Sequence, residues 1–188
     1  MERSFEAVLV EQCATTLAGV KPASLFRYQG ADRRQSREAA ARWAKELAPY
    51  GITVRILKVC PQTGACLIYL YRAGWLRSIL SEPSNRAFLA RQGYQTDQDC
   101  PGLLRQLSRR LCLEREFPHE IGVFLGYPLE DVVGFIENRG RNYTCCGCWK
   151  AYGDPEAARR RFDQYRRCTA TCKERFRRGA PITQLIAA

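Results

Sequence analysis

Apolar residues recur at helical spacing over residues 4–18, where Phe5, Val8, Leu9, Cys13 and Leu17 share one side before Gly19 and Pro22 end the pattern. Ser24 to Tyr28 is a short strand-like piece, and Asp32 to Ala48 returns to the helical period, with Ala39, Ala40, Trp43 and Leu47 on one face and Pro49-Tyr50-Gly51 as a stop. The period then changes to two. Ile52, Val54 and Ile56 alternate up to Cys60, Pro61-Gln62-Thr63-Gly64 makes a turn, and Ala65 to Arg72 supplies a second β-rich run, so a hairpin is expected over about 52–72. Helical pieces follow at 74–81, 84–92 and 101–115, the last opened by Pro101 and carrying Leu103, Leu104, Leu107 and Leu111. No period repeats, and no low-complexity linker divides the chain. The expected fold is α+β: a single domain over residues 1–188, mostly helical, with a small antiparallel sheet around the hairpin and a basic C-terminal helix. Within it, residues 1–115 hold the hairpin portion, 116–140 a helical hairpin, and 141–188 a cysteine-rich loop plus the basic helix.

Composition narrows the class. The 188 residues are 46 % hydrophobic and 26 % charged, which fits a globular chain and not a disordered or collagenous one. The longest plain apolar run, Leu67 to Tyr71, has a strand's length and not that of a membrane span, so membrane insertion is not expected. Glu2, Glu6 and Glu11 interrupt the N-terminal apolar stretches, which leaves no secretory core and predicts a cytoplasmic, reducing setting. There, clustered cysteines point to metal or redox chemistry more than to structural disulfides.

Two numbers stand out: ten cysteines and a net charge of +11. Residues 139–178 carry twelve basic against four acidic side chains, while residues 1–138 carry 18 against 15. Arginine's planar fork suits phosphate, so nucleic acid is one expected partner, through Arg159, Arg160, Arg161, Arg166 and Arg167. A solvated helix face explains the same residues.

Between Phe117 and Gly140, the residues Ile121, Leu125, Gly126, Val132 and Ile136 follow the skeleton of a helix-turn-helix. Its second helix would present Glu130, Asp131 and then Glu137 to phosphates, which argues for a packed helical hairpin over DNA readout. His119-Glu120 begins like a zinc-protease motif but lacks the second histidine. The pair therefore stands as a candidate catalytic acid/base couple, with a capping role for His119 as the plainer alternative.

Cys145, Cys146 and Cys148 lie within four positions, and Cys168 and Cys172 sit four apart on the C-terminal helix. Cys146, Cys148, Cys168 and Cys172 form a candidate zinc or iron site, with Cys145 and His119 as further candidate ligands. Arg166, Arg167 and Lys173 would lower thiol pKa values, which suits a redox pair as well. Packing competes with both, because Ala158, Phe162, Tyr165, Thr169, Cys172 and Phe176 form an apolar stripe. Cys13, Cys60, Cys66, Cys100 and Cys112 read as packing residues.

The motifs EQCATTLAGVKPASLFRY, LIYLYR, HEIGVFLGYPLEDVVGFIENRG and CCGCWKAYGD resemble the bacterial family catalogued as domain of unknown function 3793, over nearly the full length. The resemblance implies a stand-alone cytoplasmic protein with no assigned catalytic residues, and a redox or iron-uptake protein as partner. It draws attention to His119, Glu120, Gly126, Tyr127, Pro128, Asp131, Gly140, Cys146, Trp149 and Tyr152.

Overall fold

The computed structural model describes residues 3–187, and the chain gathers into two compact units. One holds the residues up to Trp75 together with those from Cys168 onward; the other is Leu76–Arg167. These boundaries cut across the three portions read along the sequence, because the C-terminal residues fold back into the core of the first unit.

In that unit, helix α1 (Phe5–Leu17) starts where the Ser4 hydroxyl accepts from the Ala7 amide at 3.1 Å, and α2 (Arg33–Leu47) where Asp32 accepts from the Gln35 amide at 2.6 Å. Strands β1 (Ala23–Tyr28), β2 (Ile52–Val59) and β3 (Cys66–Arg72) form an antiparallel sheet in the order β1-β3-β2. Strand β3 takes the centre because its run is apolar on both faces. Ile68 and Leu70 join Leu9, Cys13 and Leu17 in one core, while Tyr69 and Tyr71 stack at 5.0 Å on the opposite face. The pairing runs Ala23↔Tyr71 on one side and Ile52↔Arg72 on the other, with a bulge between Ile56 and Lys58. Arg72 donates from Nε to the Thr16 carbonyl (2.9 Å) and from Nη2 to those of Leu17 (2.7 Å) and Ala187 (3.1 Å), tying the end of α1 to β3 and to residue 187. A 3₁₀ turn over Ile182–Leu185, which hydrophobic patterning did not predict, adds Ile182 and Leu185 to this core.

Helix α3 (Ala73–Ser81) leads into the second unit, which contains α4 (Pro83–Arg91), α5 (Cys100–Leu113), α6 (Ile121–Phe124) and α7 (Leu129–Glu137). The expected loop at 141–153 is instead a short ribbon, β4 (Cys145–Cys146) paired antiparallel with β5 (Lys150–Ala151). Helix α8 (Pro155–Arg177) then runs from this unit back into the first. The class is α+β, as predicted, and no helix among the described residues is long and apolar enough to cross a membrane.

Candidate functional site

The turn between α6 and α7 is set by Gly126, at a φ of 74° that disfavours a side chain. It ends with the Tyr127 amide donating to the Gly122 carbonyl at 3.0 Å. Pro128 then caps α7, which puts Asp131 in its first turn. That carboxylate is buried and points inward. Its Oδ1 accepts from the backbone amides of Tyr152 (2.6 Å) and Gly153 (3.1 Å), and its Oδ2 from the Trp149 indole (2.7 Å). One acidic side chain therefore fixes the β4–β5 ribbon to α7. This geometry corrects the picture of Asp131 as an outward-facing acid, and it withdraws that position from any DNA-reading surface.

The ribbon closes through the Gly147 amide donating to the Trp149 carbonyl at 3.0 Å. A Cβ at position 147 would run into the Phe162 ring, so only glycine lets the loop lie against α8. Trp149 stacks on Tyr127 at 5.0 Å and meets Phe162 edge-on at 4.5 Å. Strand alternation then sorts the thiols. Cys145 turns towards the small core of Ala151, Ala158 and Phe162, whereas Cys146 and Cys148 are exposed and line a cavity of about 390 Å³.

Four rings wall this cavity: Phe117, Tyr127, Phe135 and Trp149. Its polar lining is His119, Asp131, Lys150 and the two thiols. The His119 ring lies 5.8 Å from Phe117 and 4.8 Å from Phe135. Lys150 Nζ donates to the Gly140 carbonyl at 2.7 Å and sits 5.1 Å over Tyr143. Burial, reinforced by the nearby Cys148 thiol when ionised, pushes the Tyr127 phenol up to about 12, so it stays neutral. With Asp131 already accepting three hydrogen bonds, the accessible chemistry of the cavity is two sulfurs, an imidazole and an ammonium.

The other expected site residues are distributed differently. Glu120 is buried away from His119's ring contacts, accepting from the Tyr94 hydroxyl and pairing with Arg110 Nε, both at 3.1 Å. His119 and Glu120 are chain neighbours whose side chains serve different surroundings. Cys172 belongs to the core of the first unit, and Cys168 is half-buried, its Sγ 3.9 Å from the Ala14 carbonyl. Burial pushes Cys168 up to about 11 and raises Cys172, so the arginines and Lys173 do not make these thiols acidic as expected. Among the described residues, no three His, Cys, Asp or Glu side chains gather as a metal-holding group; Cys146 and Cys148 belong to the second unit, Cys168 and Cys172 to the first. Arg159, Arg160, Arg161, Arg166 and Arg167 are exposed, with Arg160 near Asp154 and Glu156, and Arg166 paired with Asp163.

Lys150, Phe117 and Phe135 carried no candidate role in the sequence, whereas Tyr127 and Trp149 stood among the motif positions. The signal for Lys150 was its place between Trp149 and Tyr152, just after the three thiols; Phe117 and Phe135 lie far from that stretch and carried none. Five of the motif positions noted above, His119, Tyr127, Asp131, Cys146 and Trp149, line this one cavity.

Comparison with known proteins finds no match among curated proteins and none among solved structures. A family model described as "Protein of unknown function (DUF3793)" matches residues 9–186, nearly all of the sequence, and the chain belongs to that family.

Proposed function

We propose that this protein is a thiol-dependent redox or metal-handling protein that works through Cys146 and Cys148 at the aromatic cavity. The observation that carries the reading is convergence. Two of the three exposed thiols, Cys112 being the third, line one cavity with the chain's single histidine. A concave, largely apolar site with a few converging polar groups is the usual form of a small-ligand site. In the redox form, one hairpin thiolate attacks the sulfur of a small disulfide and releases a thiol. The second hairpin thiol displaces the other half, so two protein thiols are oxidised as one external disulfide is reduced. In the metal form, the zinc or iron expected from four cysteines gives way to a site built on two. The nucleic-acid reading keeps only the exposed arginines in its support.

Oxidised glutathione tests this under anaerobic conditions. Wild-type protein is expected to lose Cys146 and Cys148 together and release two glutathione thiols per chain. Cys148→Ser should stop at a lasting mixed disulfide on Cys146. Equal or faster modification of Cys112, an exposed thiol on α5, would overturn the reading.

A further inference from the structure

The donor set of the cavity points to a particular ion, and we infer that Cys146 and Cys148 bind one soft monovalent cation, Cu(I), as a two-coordinate bis-thiolate. The inference rests on the thiol-dependent reading above and gives its site a ligand class. Zinc takes at least three protein ligands, and among the described residues no three His, Cys, Asp or Glu side chains gather to supply them. This cavity offers two sulfurs and one imidazole, and its carboxylate is unavailable because Asp131 already accepts from Trp149, Tyr152 and Gly153. Thiolate sulfur suits Cu(I) as it does zinc and iron–sulfur centres, and of these Cu(I), a filled-shell monovalent ion, is the one satisfied by two such ligands.

Charge and solvent favour the same ion. Two thiols lose two protons on binding Cu(I), and the resulting bis-thiolate carries one negative charge. Lys150, in the cavity lining, supplies one positive charge to match it. The rings of Phe117, Tyr127, Phe135 and Trp149 put a largely apolar surface beside the two thiols, which suits a weakly hydrated ion that needs no further ligand. Cys145, turned into the small core with Phe162, is not part of the set, and neither are Cys168 and Cys172. Because protons are released, uptake strengthens as pH rises.

The test is an anaerobic competition in which the full chain takes Cu(I) from a coloured chelator, bicinchoninate, with ascorbate holding copper reduced. Wild-type protein and Cys168→Ser are expected to withdraw about one ion per chain, with Zn(II) at the same concentration failing to displace it. Cys146→Ser and Cys148→Ser should each withdraw none. Both substitutions lie at exposed positions, and an unchanged circular dichroism spectrum identifies a folded variant. Uptake that survives the double substitution, uptake lost in Cys168→Ser, displacement by Zn(II), or no uptake by wild-type protein overturns the inference. The last result combined with intact glutathione exchange would remove copper while leaving the dithiol reading in place.

Discussion

Three donors converge on the Asp131 carboxylate, and each comes from the segment at or just after the ribbon that carries the thiols. Asp131→Asn keeps the size but places an amide where backbone N–H groups point. A stability loss of about 2 kcal/mol is expected, given that hydrogen bonds to charged groups contribute about 1.5–3 kcal/mol each and couple when shared. Urea unfolding measures the loss, and amide exchange over residues 145–153 should accelerate with it. At Cys168 the consequence is one of pH. The folded protein holds this thiol at about 11 against an ordinary 9.0, so the folded state keeps the proton longer than the unfolded chain does. Its stabilising contribution is complete below pH 9 and is lost as pH rises towards 11. Denaturation midpoints should therefore fall across that window, and less steeply in Cys168→Ala. At this scale the sequence was ambiguous. Glu130 and Asp131 are chemically alike and adjacent, yet only Asp131 turns inward, and His119 and Glu120 divide in the same way. Within α7 roughly 100° of rotation separates Glu130 from Asp131, whereas His119 and Glu120 lie in the turn before α6; in both pairs, which neighbour meets a partner depends on distant chain.

Among the elements, those with a long period were legible: α1, α2, the β2–β3 hairpin and α5 all fall close to their expected spans, and α8 forms the expected basic C-terminal helix. The ribbon was not, because strands of two residues are too short to show alternation, and a glycine between cysteines looks like any loop. Its position depends on an element that was legible, the apolar stripe of α8. Phe162 from that stripe supports Trp149 edge-on and occupies the space that a side chain at Gly147 would need. Phe162→Ala is expected to destabilise the protein by about 3–5 kcal/mol in thermal melts, the usual range for an aromatic residue deleted from a core. It should also expose Cys145, now half-buried, to alkylation in the native state.

At the scale of the whole molecule, the first unit is discontinuous in sequence, and its core includes Cys172, Ile182 and Leu185 from the end of the chain. Hydrophobic patterning places each strand but does not say that a segment more than a hundred residues away completes their core. Removing the residues from Cys168 onward takes away two large aliphatic side chains whose burial contributes about 1.5–3 kcal/mol each. Against a total stability of about 5–15 kcal/mol, that truncation should abolish slow amide exchange in β1–β3. The charge distribution also changes meaning: burial outweighs the nearby cations and raises Cys168 and Cys172, while Cys146 and Cys148, at the ribbon, are exposed. The most direct measurement is the order in which the ten cysteines of the native protein take up a limiting amount of iodoacetamide, mapped residue by residue by mass spectrometry. Cys146 and Cys148 should react ahead of exposed Cys112 and of the other seven, with Cys13, Cys66 and Cys172 last. Early reaction of Cys168 and Cys172, with Cys146 and Cys148 protected, would contradict the assignment of the site to the ribbon.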